Sequence, residues 1–384
     1  MKNSISLEEF KLLPAGSYQL IDIRGEEEIA HGAIPGAAAI PQDALLENEQ
    51  LDRTKKQVIC CSRGKFSVEA AEELAEAGYD AVSLEGGYIA WLLDTVKQQE
   101  AEDYCKEVEK SIRKKFRKTI WCRFVKAVKD YELVKPGDRI AVCISGGKDS
   151  MLMAKLFQEL LLHHKFDFTV KFLVMDPGYS PENRRVIEEN ARKLNIPIHI
   201  FESNIFESVY HVEKSPCYLC ARMRRGYLYR YAQELGCNKI ALGHHYDDVI
   251  ETILMGMLWG AQVQTMMPKL HSTNFEGMEL IRPLYYVRED AIKAWRDCNG
   301  LHFIQCACKF TDTCTTCTNN ETKSKRMEVK NLIREMKKTN PCVEAHIFRS
   351  MENVSLDAVI AYKTKGRKIH FLDNYDNPDG GIEE

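Results

Sequence analysis

The chain contains no apolar run approaching the ~18 residues that a bilayer-spanning helix needs, which excludes a helical integral membrane protein. Its first ten residues, MKNSISLEEF, lack a basic stretch followed by an apolar one, so no secretory leader is expected and a cytoplasmic location is. No repeat of fixed period is present. The Walker spacing GxxxxGK[ST] is also missing, which disfavours motor- or kinase-type nucleotide chemistry. Cysteine, by contrast, is abundant, with 14 in 384 residues. Without a route to an oxidising compartment these are expected to be reduced thiols, serving as metal ligands or nucleophiles rather than as a disulfide framework.

Hydrophobic residues make up 45% and charged residues 28%, a globular balance, and the length suits two to three domains. The net charge of −3 conceals an asymmetry: residues 1–100 carry 9 Lys/Arg against 18 Asp/Glu, and the remainder carries 44 against 38. An acidic module joined to a basic one points to different partners, the basic part being able to meet a polyanion such as RNA. Residues 106–129 concentrate this, with 10 Lys/Arg and 2 Glu around Ile112, Phe116, Ile120, Trp121, Phe124 and Val128. That spacing makes amphipathic helices with one basic face. The face is either a solvated surface or a phosphate contact through Lys114, Lys115, Arg117 and Lys118.

Tyr18–Ile23, Gln57–Cys61 and Ala81–Leu84 read as strands, and Ser67–Ala77 as a helix ending at Gly78. Arg139–Ile144, Val170–Met175, Ile198–Phe201 and Lys239–Leu242 begin a second strand–helix alternation, the pattern of a doubly wound parallel sheet. The acidic, Gly-containing segment 366–384 is expected to be disordered.

Three constellations carry chemistry. In the first, Cys61-Ser-Arg-Gly-Lys-Phe-Ser67 lies between a strand and a helix. Such a junction aims backbone N–H groups and a helix N-terminus at one point, so the Cys61 thiolate should be stabilised, with help from Arg63 and Lys65. Cys60 reads as an ordinary buried cysteine. The segments LIDIRGEEEIAHGAIPGA, CSRGKFS and LEGGYIAW resemble the rhodanese domain over nearly all of residues 6–96. The resemblance implies that Cys61 accepts sulfane sulfur as a persulfide and that Asp22 and Arg24 form a structural pair.

The second is Ser145-Gly146-Gly147-Lys148-Asp149-Ser150, again between a strand and a helix, where two glycines permit close backbone approach to a phosphate. It resembles the PP-loop of ATP pyrophosphatases, which implies ATP binding with adenylate transfer. Asp176 ends the next strand, where that family contacts the nucleoside. In the segment opening at Gly243 (GHHYDDVIET), Asp247 and Asp248 are candidates for Mg2+ on the phosphates, or for helix capping.

The third is Cys217-Tyr-Leu-Cys220, a chelating half-site, followed by Arg224 and Arg225 as RNA-phosphate contacts. With Cys314 and Cys317 it would make a four-thiolate zinc site. With Cys306 or Cys308 it would make a three-cysteine iron–sulfur site.

From about Lys106 to Lys363, the segments VKPGDRIAVCISGGKDS, CYLCARMRRGYLYR, ALGHHYDDVIETIL, MMPKL, IRPLYYVRE and SMENV resemble the tRNA 2-thiocytidine synthetase family. This implies a [4Fe–4S] cluster on Cys217, Cys220 and Cys306, with Cys308 as the substitute third ligand because C-A-C replaces the family's P-C-x-x-C. The family has no counterpart to Cys314 and Cys317.

The expected organisation is therefore α/β: a rhodanese-type domain (1–97), a basic helical linker (98–130), a doubly wound PP-loop domain (131–365) and the tail (366–384). The expected function is ATP-dependent tRNA thiolation with Cys61, Lys148 and Asp149 as catalytic residues. The expected cofactors are ATP, Mg2+ and [4Fe–4S]. The expected partners are tRNA, a sulfur donor such as a cysteine desulfurase or thiosulfate, and a second copy of the chain in a homodimer. The alternatives are a 4-thiouridine-type thiolase and a non-catalytic sulfur or redox carrier with the zinc site.

Overall fold

Five strands, β1 (Ser4–Ile5), β2 (Tyr18–Asp22), β3 (Ala38–Ala39), β4 (Lys56–Cys60) and β5 (Ala81–Leu84), form a parallel sheet in the order β1-β5-β4-β2-β3. Val58, Ile59 and Cys60 are fully buried, as expected of a strand covered on both faces. Ala70, Ala71 and Leu74 of the Phe66–Glu76 helix pack on one of those faces. Gly78 follows that helix with φ +89°, which fits a left-handed C-terminal position. The chain order reverses between β2 and β4, so the carboxyl ends of these two strands flank the place where open α/β sheets bind ligands.

These observations come from a computed structural model, which describes residues 3–163, 166–205, 216–304, 325–364 and 366–375. The chain divides into two units, 1–104 and 105–384. That division replaces the expected linker: one helix runs Gly87–Arg113, and residues from Cys105 onward belong to the second unit. Its apolar stripe explains this, because Cys105, Val108 and Ile112 are buried in that unit's core together with Phe116, Ile120 and Phe124.

The second unit is built on β6 (Arg139–Ile144), β7 (Thr169–Asp176), β8 (Ile198–Glu202), β9 (Lys239–Ala241), β10 (Lys269–His271) and β11 (Glu279–Ile281), in the order β10-β11-β9-β6-β7-β8. All pairs are parallel except the β10–β11 edge. Here the order reverses between β6 and β9, so the loops after them face one another. Helix ends are fixed locally: Ser180 caps the Pro181–Lys193 helix by accepting from the Asn183 N–H, with Pro181 at the first helical position. The expectation of a disordered tail fails for its first part. Arg367–His370 (β13) pairs antiparallel with Ala361–Thr364 (β12), while 376–384 lie outside the described residues. Gly366 (φ +78°), between the two strands, supplies the left-handed position that a tight hairpin connection favours. Among the described residues no helix is long and apolar enough to cross a membrane.

Candidate active sites

Cys61 is the first residue beyond β4, 3% exposed, at the floor of the 61–65 loop. Its Sγ accepts from the Gly64 N–H (3.1 Å) and the Ser67 N–H (3.4 Å) and lies 3.3 Å from the Ser67 Oγ, which in turn contacts the Ser83 Oγ at 2.8 Å. Burial pushes the thiol up. The Ser67 hydroxyl and the N–H groups of Ser67, Arg63 and Gly64 more than offset this, so Cys61 ionises below the ordinary thiol range. Neighbouring Cys60 behaves oppositely: burial, then the Asp22 charge, drives it up to about 12. The cradle is closed by Gly87 (φ +58°). A Cβ there would collide with the Cys61 carbonyl and lie 2.7 Å from the Gly64 N. Arg24 and Asp22 form a buried ion pair at 2.6 Å, with Arg24 also donating to the Gly32 carbonyl (2.7 Å). They brace the sheet end, and none of their hydrogen bonds reaches the 61–65 loop.

The second site is the Ser145–Gly147 loop between β6 and the Lys148–His163 helix. Ser150 ties the loop down: its Oγ accepts from the Ser145 N–H (3.1 Å) and donates to the Gly147 carbonyl (3.0 Å). Gly146 has φ +82°, and a Cβ would lie 2.6 Å from both Ile187 and Ile304. Gly243, after β9, approaches the Ser150 backbone so closely that a Cβ would stand 3.2 Å from its N.

Two cavities open beside this loop. One, of about 310 Å3, is lined by Ser145, Asp149, Ser150, Gly243, His244 and Asp248, with Met175, Leu228 and Arg224 among its further walls. The other, of about 530 Å3, holds Gly147, Lys148 and Asp149 beside Lys293 and Arg296. Lys148 pairs with Asp149 (3.1 Å) and Glu289 (3.4 Å).

The expected residues are thus partly regrouped. Arg224 is not on an outer face: it walls the smaller cavity and donates to the Tyr179 hydroxyl at 3.0 Å. Arg225 is exposed. Asp176 turns its carboxylate into its own loop, accepting from the Gly178 and Tyr179 N–H groups (2.8 and 2.7 Å) and pairing with Arg184 (3.1 Å), so it shapes that loop and does not line the cavity. Asp247 and Asp248, both candidates for a metal or for helix capping, have different partners. Asp247 is held by Arg288 (3.0 Å) and the Glu289 N–H (2.7 Å) and does not line the cavity. Asp248 lines the cavity and also accepts from the His245 N–H (3.0 Å). Burial pushes Asp248 up, but His245 and Arg326 outweigh it and its carboxyl ionises below the usual range.

Two polar atoms in this cavity wall, Asp149 Oδ1 and His244 Nδ1, are buried without a hydrogen-bond partner. Burial, then the Arg282 charge, holds His244 down at about 4, so it is neutral. The His245 ring bridges the two acids, its Nδ1 3.4 Å from the Asp248 backbone N and its Nε2 3.8 Å from Asp149 Oδ1. Sequence reasoning quoted these histidines without assigning them, although a doubled His beside paired acids was the available signal. Glu289 and Ser83 carried none.

Lys114, Lys115, Arg117 and Lys118 are all exposed. Cys306, Cys308, Cys314 and Cys317 lie outside the described residues. So do the side chains of Cys217 and Cys220, whose backbone belongs to the Pro216–Glu234 helix. The donor set itself, thiols with two of them three residues apart on a helix, fits a thiophilic centre. The described cysteines are all free, and among the described residues no three His, Cys, Asp or Glu side chains converge as a metal site.

Comparison with known proteins places a PP-loop domain model on residues 116–334 and a rhodanese-like domain model on 6–94. A tRNA-cytidine(32) 2-sulfurtransferase from Pelobacter propionicus is 34% identical over 232 residues, covering 60% of this chain and 83% of the relative. One of the same name from Acaryochloris marina is 36% identical over 234 residues, covering 60% and 79%. A solved U34-tRNA thiolase from Methanococcus maripaludis with its [4Fe–4S] cluster aligns over 74% of this chain and 91% of its own at 21% identity. Its TM-score is 0.46, too loose a likeness to bear on chemistry.

Proposed function

Since the chain belongs to the PP-loop family and carries a rhodanese-like domain, we propose that it is a cytoplasmic tRNA sulfurtransferase forming 2-thiocytidine through an adenylated base. The observation that carries this reading is the glycine loop at the reversal point between β6 and β9, with the Asp149 Oδ1 atom buried beside it and lacking a hydrogen bond. Its relatives by sequence are named for tRNA-cytidine 2-sulfurtransfer.

The Ser145–Gly147 backbone and the N-terminus of the Lys148–His163 helix hold the phosphates of ATP, and Lys148 offsets their charge. Asp248, held by Arg326 (2.9 Å) and the His245 N–H (3.0 Å), faces the same cavity and is the carboxylate that a phosphate-bound Mg2+ would compete for. The apolar wall of Met175, Leu228 and Leu242 takes the nucleoside. The cytidine O2 attacks the α-phosphate, pyrophosphate leaves, and the C2–O–AMP bond so formed makes C2 electrophilic. A sulfur nucleophile then displaces AMP at C2. Cys217, Cys220 and Cys306 or Cys308 would hold a [4Fe–4S] cluster, which supplies an iron with a free position for a sulfur ligand.

In the rhodanese-like unit, the Cys61 thiolate attacks the sulfane sulfur of a donor such as thiosulfate, giving the Cys61 persulfide and sulfite. The N–H cradle that stabilises the thiolate equally stabilises the persulfide anion.

The test is anaerobic incubation of the protein with tRNA transcript, ATP and a sulfur donor, followed by nucleoside analysis. 2-Thiocytidine with matching AMP is expected, and both should vanish with Lys148→Ala. 4-Thiouridine instead would favour a different target base. AMP-free, thiolation-free protein carrying zinc would leave a sulfur carrier.

A further inference from the structure

Resting on the reading of an RNA substrate, we propose that a basic trench beside the phosphate loop holds the phosphate backbone of that RNA and leads its target base toward the adenylation cavity. Two basins on the 105–384 unit make up the trench. One, of about 580 Å3, lies between the Cys122–Asp130 helix, the Val343–Arg349 helix and the start of the Tyr246–Gly260 helix. The other, of about 460 Å3, lies between residues 115–123 and the Glu289–Cys298 helix. Arg123 and Arg288 line both, so the basins adjoin.

Six cations line them, Lys115, Arg123, Lys126, Arg288, Lys337 and Arg349, against Asp290, Glu344 and Glu352. The acids are already engaged in part: Glu344 pairs with Arg288 (2.6 Å) and Lys337 (2.7 Å), and Glu352 accepts from the Tyr131 hydroxyl (3.4 Å). Among the described residues Lys115, Arg123 and Arg349 have no carboxylate partner. Arg123 is tethered to the Tyr286 carbonyl (3.3 Å). The other cations are neutralised in the fold: Lys126 pairs with Asp130 beside the Tyr286 ring, and Arg288 pairs with Asp247 (3.0 Å) and Glu344 beside the Tyr246 ring. The positive charge left over is that of Lys115, Arg123 and Arg349, spread over two adjoining basins, which suits successive phosphates better than one small anion.

The trench also has a destination. Tyr246 lines it, while its neighbours Gly243, His244 and Asp248 line the smaller cavity of the phosphate loop. Asp247 between them clamps Arg288. One six-residue stretch therefore borders both the path and the reaction chamber.

The test measures the dissociation constant of unmodified tRNA transcript over a salt series, using the full chain. Arg349→Gln removes an exposed side chain with no ion-pair partner among the described residues, so folding is not at issue; Arg123→Gln adds a second site. The slope of log affinity against log salt should fall by about one for the first variant and about two for the pair, each removed phosphate contact releasing one fewer counterion. ATP affinity should be unchanged. Wild-type slopes in both variants would overturn the trench while leaving the sulfurtransferase reading intact. A wild-type protein that binds no transcript would instead overturn that reading, and the trench with it.

Discussion

Replacing Ser67 with Ala probes how the fold makes Cys61 reactive. The hydroxyl lies 3.3 Å from Sγ and is itself oriented by Ser83 at 2.8 Å, so it donates to the sulfur while accepting from Ser83. A hydrogen bond to a charged group contributes about 1.5–3 kcal/mol, which makes the thiolate about 10- to 100-fold scarcer at a pH below its ionisation when that bond is lost. Rate does not fall in proportion, because a more basic thiolate is intrinsically more nucleophilic, with a Brønsted coefficient of about 0.4–0.5. Alkylation by iodoacetamide, followed by mass spectrometry across a pH series, should therefore slow by about 4- to 20-fold at low pH. At pH above both ionisations the variant should react faster than wild type, by about 3- to 10-fold, so the two profiles cross. Ser83→Ala, which removes only the orienting partner, should fall between them. A Ser67→Ala profile lowered equally at every pH would refute the argument, since that pattern means altered access rather than altered ionisation.

Cys61→Ala should abolish thiosulfate-dependent persulfide formation, read by cold cyanolysis, while the iron content of anaerobically prepared protein stays unchanged. Gly87→Ala should destabilise the 1–104 unit by about 1–3 kcal/mol or more in urea unfolding, because φ is +58° and a Cβ meets the cysteine-loop backbone. His244 has an ordinary value of 6.5 and lies at about 4 in the fold, so the unfolded chain binds the extra proton between those pH values. Stability should thus decline as pH falls through this window, by at most about 3 kcal/mol, and His244→Gln should flatten that part of the curve.

Much of this molecule was readable from local pattern. Both strand–loop–helix junctions stood out because a buried apolar run, a short loop rich in Gly and polar residues, and an amphipathic helix occupy consecutive positions. Strands β4 to β9 were located to within a residue or two for the same reason. The short strands β1 and β3 escaped notice, since two residues carry no periodicity and their pairing is supplied by distant partners. The β12–β13 hairpin was hidden by an acidic tail that dominates the composition.

The sequence by itself determined which atoms are available: a cysteine ahead of a helix, a glycine loop ahead of another, and an excess of cations after residue 100. These depend only on neighbours in the chain. What each carboxylate and guanidinium does was decided by the tertiary structure alone. Asp247 and Asp248 are adjacent in sequence, yet one is clamped by Arg288, 41 residues away, and the other faces the cavity. Arg224, read as an RNA contact, lines the cavity beside the glycine loop because the Pro216–Glu234 helix turns it toward Tyr179. Charge identity is a property of the residue, but a charge's partner, its burial and hence its chemistry follow from which remote segments the sheet order brings alongside it.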